Sequence, residues 1–279
     1  MKAQIACCQM IPIDDKQKNL EKAASMVRRE AAAGTDIVVL PEMFICPYCH
    51  ASFKDYCEPA SGDSVRFLSA LARETGVILF AGSIPEKEDD RIYNTCFVFD
   101  RQGRIIGRHR KVHLFDVDIK GGISFKESKV LSPGNTITVV DTEFGKIGAA
   151  ICFDIRFVEP FRIMAEAGAR LIVVPAAFNM TTGPLHWELA IRSRAVDNQC
   201  YIAACSSGRD TSADYCAWGH SSVVDPWGKV VATTGPEESI VRHTLDFDLV
   251  EQVRQELPIL ASRRQDLYTC TLSGGKHIG

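Results

Sequence analysis

The sequence predicts one α/β domain, and three features of the chain support this prediction. Strand-like and helix-like patterns alternate through the first two thirds of the 279 residues. The composition is ordinary for a globular protein, with 46% hydrophobic and 24% charged residues, and no linker or low-complexity segment divides the chain. Residues 31–44 (AAAGTDIVVLPEMF) and 165–178 (AEAGARLIVVPAAF) share a helix end, a Gly, an apolar strand and a Pro, which suggests two similar halves.

The individual elements follow from hydrophobic periodicity and from the residues that end each segment. Apolar residues recur at helical spacing from Leu20 to Ala31, and Gly34 ends that helix. Short branched apolar runs between such helices indicate buried strands. We predict strands at 3–9, 37–40, 77–81, 93–99, 104–110, 146–151, 171–174, 200–205 and 240–246, helices at 19–33, 64–75, 160–168, 185–198 and 249–256, and hairpins that turn at 100–103 and about 225–228.

Cys152 stands at the end of a predicted strand. The apolar run within KIGAAICFDIR (146–156) ends abruptly in this cysteine, and a charged segment follows. A buried strand with this pattern delivers a thiol to a turn, where backbone N–H groups are free to face a substrate. A lone cysteine of this kind is more often an inert core residue. A catalytic role for Cys152 therefore depends on partner segments.

Two further residues, Glu42 and Lys111, stand at strand ends. The run 37–40 is stopped by Pro41, and Glu42 follows beside apolar neighbours, where burial raises the pKa of a carboxyl as a general base requires. Lys111 lies where the hairpin over 93–110 leaves its sheet. The alternatives are a surface glutamate and a solvated basic run.

These strand-end residues give the chain its resemblance to the nitrilase superfamily of carbon–nitrogen hydrolases. The matching stretches are LPEMF (40–44), RKVHLF (110–115), FKES (125–128) and ICFDIRFVE (151–159), and the likeness runs from about Gln4 to Tyr268. The resemblance implies a four-layer α-β-β-α sandwich. It also implies a catalytic domain over 1–262 and a tail over 263–279 that lies at a subunit interface.

The resemblance also implies roles for the candidate catalytic residues. Cys152 would attack the substrate carbonyl, and Glu42 would move the protons. Lys111, with the backbone N–H of Phe153, would hold the oxyanion. Glu127, the second glutamate, would orient Lys111. A papain-like Cys-His arrangement competes poorly, although His109, His113, His186 and His220 are formal alternatives.

Within the superfamily the chain is most similar to the omega-amidase branch. The similar segments are HLFDVDIKGGISFKES (113–128), AFNMTTGPLHWELAIRSRAVDNQ (177–199) and WGHSSVVDPWGKV (218–230). That branch cleaves the terminal amide of 2-oxoglutaramate and 2-oxosuccinamate to ammonia and the 2-oxo diacid. Phe153 replaces a tyrosine common after the nucleophile, and the segment 46–49 is richer in cysteine than usual. N-carbamoyl amide, deaminated glutathione and nitrile hydrolysis therefore remain alternatives, as does a non-catalytic binding role.

A substrate with a distal carboxylate requires a cation or several hydrogen-bond donors. Arg156 is nearest in sequence to Cys152, although an ion pair with Asp154 or Glu159 is an equal alternative. Tyr48 and Phe178 are candidates for the pocket wall. The full set of substrate-binding candidates is Tyr48, Phe153, Arg156 and Phe178, and Lys126, Arg192 and Arg194 are further candidates for the carboxylate site.

Composition excludes several other classes of protein. A net charge of −3 argues against a nucleic-acid partner, and no apolar stretch approaches a membrane span. Eleven cysteines, an odd number without framework spacing, and no signal-peptide pattern favour free thiols and a cytoplasmic location. The segment CPYC (46–49) resembles a redox-active cysteine motif, and His50 lies beside it. The flanking sequence, however, fits neither a redox motif nor a zinc site.

We therefore expect no metal and no cofactor, and a small-molecule amide as the partner. We also expect a homodimer or a larger even-numbered homo-oligomer, because the short helix over 159–167 carries much apolar surface.

Overall fold

The computed structural model describes residues 1–273 and 278–279, and these residues form fifteen strands and six helices. The strands are β1 (Lys2–Gln9), β2 (Ile37–Val39), β3 (Ile78–Phe80), β4 (Ile84–Glu88), β5 (Arg91–Phe99), β6 (Ile105–Arg110), β7 (Asp116–Asp118), β8 (Ser124–Lys126), β9 (Thr138–Thr142), β10 (Gly145–Ala149), β11 (Leu171–Ala176), β12 (Tyr201–Ser206), β13 (Ser222–Val224), β14 (Val230–Thr233) and β15 (Ser239–Asp246). The helices are α1 (Lys16–Ala32), α2 (His50–Asp55), α3 (Asp63–Thr75), α4 (Val158–Glu166), α5 (Gly183–Asn198) and α6 (Phe247–Glu256). Two short 3₁₀ turns cover Glu127–Lys129 and Cys152–Arg156.

Most strands belong to two sheets. The first has seven strands in the order β15-β1-β2-β3-β5-β4, with β6 paired to β5, and the second has six in the order β14-β13-β12-β11-β10-β9. The centre of each sheet is a parallel trio, β1-β2-β3 in one and β10-β11-β12 in the other. The repeated segments 31–44 and 165–178 contain β2 and β11, the middle strands of the two trios. The sequence repeat therefore marks equivalent positions in the two sheets.

The predicted α-β-β-α sandwich is confirmed. Inward side chains of both sheets, such as Ile5, Val39 and Val173, form one continuous buried cluster. Helices α1 and α3 pack on the outer face of the first sheet through residues such as Val27 and Leu68. Helices α4 and α5 cover the second sheet. Parallel strands covered on both faces have near-continuous apolar sequences, as the runs 37–40 and 171–174 show.

The element boundaries differ from the prediction in a few places. Helix α1 begins at Lys16 rather than at residue 19, because Asp15 caps it by accepting the Lys18 N–H at 3.1 Å. Strands β4, β7, β8 and β9 and helix α2 were not predicted. They are three to six residues long, too short for a periodic pattern to stand out.

The described part of the C-terminal tail packs on its own subunit. Arg263 forms an ion pair with Glu166 of α4, and Ile278 makes a β-bridge with Ile137. Residues 274–277 of the predicted tail lie outside the described residues. The division at residue 262 and the placement of the tail at a subunit interface remain predictions.

Candidate active site

The loop after β2 fixes the backbone on either side of Glu42. Met43 has a φ of +51°, so the chain turns sharply directly after the glutamate. Gly82 packs against the same turn, and a Cβ at this position would lie 2.1 Å from the carbonyl oxygen of Pro41. The Oγ of Ser83 accepts the Met43 N–H at 3.0 Å. Only glycine fits at position 82, and its close approach holds Glu42 at the end of the central strand.

The turn after β10 presents Cys152 and is anchored by Asp154. Cys152 has a φ of +45°, which costs an L-residue about 1–2 kcal/mol. The Asp154 carboxylate accepts the N–H of Ile151 at 3.0 Å and that of His113 at 2.9 Å. The rings of His109 and His113 also bond to it, at 3.1 and 2.8 Å. Burial opposes ionisation, but these bonds hold the pKa of Asp154 well below its ordinary value.

The histidines considered as alternative bases have other partners. The rings of His109 and His113 bond to Asp154, His186 bonds to Arg156 at 3.1 Å, and His220 lies 3.2 Å from the carbonyl oxygen of Thr234. Their geometry does not favour a Cys-His pair.

Beside Cys152, the structure brings together Lys111 and the two glutamates. The Nζ of Lys111 donates to Glu42 at 2.8 Å and to Glu127 at 3.0 Å. The hydroxyl of Tyr48 donates to Glu127 at 2.5 Å and lies 3.2 Å from Glu42. The amide of Asn94 donates to Glu42 at 2.7 Å. Glu42, Lys111 and Glu127 are 1%, 0% and 0% exposed, so their side chains are almost fully buried.

The charges of this cluster shift the pKa values in a consistent direction. Burial raises the pKa of Glu42, and the Glu127 carboxylate raises it further, whereas Lys111 opposes the rise. Burial alone would lower the pKa of Lys111, but the two carboxylates hold it well above its ordinary value. Burial and then Glu42 raise the pKa of the Cys152 thiol. The resting site therefore has a neutral thiol beside a carboxylate of raised basicity and a permanent ammonium.

Two cavities lie near this site, one lined by Glu42 and the other by Cys152, and they share Ala177 and Tyr215 as lining residues. The larger one, of about 440 Å³, is reached by Glu42 and opens toward 11–14 and 207–217. The smaller one, of about 10 Å³, is lined by Phe115, Cys152, Phe153, Arg156, Ala177, Phe178, Asn179, Thr182 and Tyr215. Tyr215 donates its hydroxyl to the Ala177 carbonyl at 2.7 Å and stacks on Tyr48 at 4.4 Å. Tyr215 therefore stands between the two cavities.

Arg156 is the only charged side chain among the described residues that line the smaller cavity. Its guanidinium lies 5.5 Å from the ring centre of Phe153 and 5.0 Å from that of Phe178. One of its nitrogens contacts His186 at 3.1 Å, and its buried Nε has no partner in the described structure. Among the described residues, Arg156 forms no ion pair with Asp154 or Glu159, which was the structural alternative considered from the sequence.

The other cations considered for a carboxylate site lie elsewhere. Arg194 donates to the carbonyl oxygens of Ile155 and Arg156 at 2.8 and 3.1 Å. Arg192 donates to Gly228 at 2.8 Å, and Lys126 is exposed on β8. Of the four cations considered for a carboxylate site, Arg156 is therefore the one that lines a cavity together with Cys152.

Several side chains of the site were not predicted from the sequence. They are Asn94, Phe115, Asn179, Thr182 and Tyr215, together with Asp154 as an anchor. The backbone N–H of Phe115 donates to Glu127 at 2.6 Å. An aromatic residue in the polar segment TSADYC (211–216) is the one signal that could have indicated Tyr215.

The segment 46–49 forms part of the wall of the site. Cys46 is buried, and the sulfur of Cys49 caps α2 by accepting the N–H of Ser52 at 3.5 Å. All eleven cysteines are free thiols. In residues 1–273 and 278–279, no group of three or more His, Cys, Asp or Glu side chains is arranged so that it could hold a metal ion. Over the same residues, no helix is long and apolar enough to cross a membrane.

Comparison with known proteins identifies the family. The sequence profile of the carbon-nitrogen hydrolase family matches residues 4–255. The chain belongs to this family. It is 48% identical to mouse omega-amidase NIT2 over 95% of this chain and 96% of that protein. Human omega-amidase NIT2 is 47% identical over 91% and 92% of the two chains. The crystal structure of yeast Nit3, a member of branch 10 of the nitrilase superfamily, aligns with a TM-score of 0.87 at 42% identity and covers 95% of this chain and 96% of that one.

Proposed function

We propose that this carbon-nitrogen hydrolase is an omega-amidase, which cleaves the terminal amide of 2-oxoglutaramate and 2-oxosuccinamate to the 2-oxo diacid and ammonia. The observation that carries the proposal is Arg156, which has no carboxylate partner among the described residues and lies beside Cys152 and the Glu42–Lys111–Glu127 cluster. The cluster suits amide cleavage, and the arginine suits a substrate that carries a carboxylate. Relatives at 46–48% identity that bear the name omega-amidase support the same substrate class.

In the proposed acylation step, Cys152 attacks the amide carbon and Glu42 takes the thiol proton. A direct transfer is needed because the thiol is neutral at rest. The carbonyl oxygen becomes an oxyanion, held by the Lys111 ammonium and the Phe153 N–H. Glu42 then gives its proton to the nitrogen, so that ammonia leaves and a thioester remains. General acid–base help of this kind contributes about 10²–10⁴-fold in rate.

In the proposed deacylation step, water attacks the thioester carbon. Glu42 takes a proton from the water as the C–O bond forms, and returns it to sulfur as the C–S bond breaks. The Nζ of Lys111 donates to Glu127 at 3.0 Å, and in the proposed mechanism this bond keeps the ammonium in position through both steps. One glutamate therefore handles every proton transfer, and the other orients the ammonium.

We expect the Arg156→Met variant to lose affinity for substrates that carry a carboxylate. Loss of a charge-assisted hydrogen bond in a mostly apolar cavity should raise KM for 2-oxoglutaramate by roughly 10- to 100-fold. Turnover of a neutral amide such as propionamide should change far less. Steady-state ammonia release on both substrates measures this difference. Arg192→Met removes the same charge from an exposed position on α5 and serves as the matched control. An equal loss on both amides, or a larger effect in the control, would contradict the assignment.

We expect the Glu127→Gln variant to shift the pH dependence of kcat/KM. Glu42 works as a base only when ionised, and its pKa is raised partly by the Glu127 carboxylate. Removing that negative charge lowers the pKa of Glu42, so the acidic limb of the profile should move to lower pH. The maximal rate should also fall, because Lys111 loses one of its two anchors. A pH series of kcat/KM measures the shift. Exposed Glu251 offers a control as Glu251→Gln, and an unmoved acidic limb in Glu127→Gln would count against coupling of the two glutamates.

The substrate class itself is tested by comparing three substrates. Ammonia release from 2-oxoglutaramate should exceed that from an N-carbamoyl amine and from a simple nitrile. If either of the other two is preferred, the omega-amidase proposal is wrong and another carbon–nitrogen specificity applies.

A homodimer or larger even-numbered oligomer and a cytoplasmic location are also part of our proposal. The sequence argument for the oligomer, from the apolar helix over 159–167, loses weight because Phe161, Met164 and Ala165 are buried within the subunit. Exposed Leu185 and Leu189 on α5 now offer a better reason, since they are 69% and 66% exposed. Light scattering over a dilution series measures the oligomeric state.

A further inference from the structure

The cavity that Cys152 lines is too small for the proposed substrate. Its volume is about 10 Å³, which is room for about one water molecule. Attack requires the carbonyl carbon to come within roughly 3.5 Å of the sulfur. The neighbouring cavity, which Glu42 lines, measures about 440 Å³ and has the volume of a site for a small organic molecule. Substrate therefore reaches Cys152 only after part of the wall between the two cavities has moved.

Tyr215 is the side chain that separates the two cavities. It lines both of them, and Ala177 is the other residue that they share. Ala177 is buried directly after β11 and has no side chain that could rotate. Rotation of the Tyr215 ring away from its present position would join the two cavities into one.

The fold holds the rest of the smaller cavity more firmly than it holds Tyr215. Four of the lining residues are buried, namely Phe115, Phe178, Asn179 and Thr182. Phe153 and Arg156 belong to the short 3₁₀ turn of Cys152. Tyr215 lies instead in an irregular segment, and the preceding residues 211–214 are exposed. Exposed irregular segments are the parts of a fold that open at low cost in free energy.

A small set of contacts holds Tyr215 in its present position, called here the closed position. Its hydroxyl donates to the carbonyl oxygen of Ala177 at 2.7 Å. Its ring stacks on Tyr48 at 4.4 Å and meets Phe125 edge-on at 5.7 Å. A hydrogen bond between neutral groups and contacts between aromatic rings each make a modest net contribution to stability. The closed position is therefore favoured by interactions that one or two substitutions can remove.

We propose that Tyr215 is a gate that determines which substrates reach Cys152. In the closed position it separates the two cavities, and in the open position they form a single site that holds the whole substrate. Tyr215 is thus a specificity-determining residue, since it neither forms a bond to the substrate nor moves a proton. The inference rests on the proposed function in one respect, that Cys152 is the nucleophile.

The rate at which iodoacetamide alkylates Cys152 tests the gate without a hydrolysable substrate. The sulfur displaces iodide, and the thiol proton is lost to solvent. Peptide mass spectrometry follows Cys152 relative to Cys57, a free thiol that lines neither cavity. Tyr215→Phe keeps the ring and loses the hydrogen bond, so Cys152 should react roughly fivefold faster. Tyr215→Ala also loses the ring contacts, and the increase should be roughly 10- to 100-fold.

Tyr201→Phe is the matched control for the lost hydroxyl. Tyr201 is buried, and its hydroxyl accepts the main-chain N–H of Asp246 at 3.3 Å. It lines neither cavity, so the control should be alkylated at Cys152 as fast as wild type. Thermal unfolding is measured for every variant. If Tyr215→Ala does not fold, Tyr215→Phe decides the question, because it retains the volume of the ring.

Two neutral amides of different length test the role in specificity. We compare kcat/KM for 3-phenylpropionamide with kcat/KM for propionamide. The ratio of the two should rise in Tyr215→Ala, because the space of the tyrosine ring becomes available to the longer acyl group. Tyr215→Phe should keep the wild-type ratio, since its ring fills the same space.

The outcomes separate this inference from the proposed function. An unchanged rate of Cys152 alkylation in Tyr215→Phe and Tyr215→Ala overturns the gate, whichever amides the enzyme hydrolyses. An equal increase in Tyr201→Phe overturns it too, because any lost hydroxyl would then loosen the site. Faster alkylation with an unchanged ratio of the two amides overturns the role in specificity. Faster alkylation in an enzyme that does not hydrolyse 2-oxoglutaramate supports the gate and overturns the proposed function.

Discussion

Cys152→Ala is expected to abolish amide hydrolysis and to leave the fold intact. Loss of the nucleophile in enzymes with a covalent intermediate lowers kcat by roughly 10⁴–10⁶-fold. The structural change is small, because one sulfur is lost from a side chain that is 5% exposed. Alanine also keeps the positive φ of +45° at no greater cost than cysteine. Ammonia release measures the activity, and thermal unfolding measures the stability.

Two further variants make this expectation specific. Cys200→Ala removes the same atom from a buried cysteine directly before β12 and should retain activity. Cys152→Gly should be inactive yet at least as stable as Cys152→Ala, because glycine adopts positive φ without penalty. Near-normal turnover in Cys152→Ala would show that another group is the nucleophile. A thioester trapped on any other of the eleven cysteines would show the same.

The candidate catalytic residues could be named from the sequence because each stands where an element visibly ends. Pro41 stops an apolar run directly before Glu42, and a charged segment follows directly after Cys152. Glu42 follows β2 and Lys111 follows β6 of the first sheet, whereas Cys152 follows β10 of the second, so the ends of strands from both sheets meet at the site. The structure adds that 2.8 Å separates Glu42 from Lys111. The pattern of strand ends predicts where the main chain places each residue, but it does not predict the distance between the two side chains.

Other parts of the site could not be predicted because their side chains act through tertiary contacts. Asn94 is an inward polar residue inside β5. Nothing in the sequence around it indicates that its side chain bonds to Glu42. Tyr215 belongs to an irregular segment whose path is set by the Ala177 carbonyl that it bonds. His109 and His113 were formal alternatives for a catalytic histidine, yet both bond to the carboxylate of Asp154. The sequence alone does not indicate which partner a histidine contacts.

The central strands of the fold were predicted better than the strands at the edges of its sheets. All six strands of the two parallel trios were predicted individually as short apolar runs, although their arrangement in trios was not predicted. Strand β9 was missed although TVVDT (138–142) is rich in β-branched residues. Its pairing with β10 at the edge of the second sheet is antiparallel, and no helix precedes it to mark a boundary. Helix periodicity therefore helped to predict the central strands more than the strands at the edges of the sheets.

Lys111→Arg is expected to be nearly as damaging as Lys111→Met, with a loss of about 10²–10³-fold in kcat. Lys111 is 0% exposed, and its Nζ lies 2.8 Å from Glu42 and 3.0 Å from Glu127. A compact ammonium fits between two carboxylates and one oxyanion, whereas the wider, planar guanidinium crowds the cluster and directs its donors differently.

The two Lys111 variants should differ in their pH dependence, and this difference tests the electrostatic argument. Lys111 opposes the rise in the pKa of Glu42, so Lys111→Met should raise that pKa and move the acidic limb of kcat/KM to higher pH. Lys111→Arg keeps the positive charge and should move the limb less, even though its rate is equally low. Lys126→Arg, on exposed β8, is the matched control and should behave as wild type. A fully active Lys111→Arg enzyme would mean that any cation suffices, and the role of a precisely placed ammonium at the oxyanion would have to be abandoned.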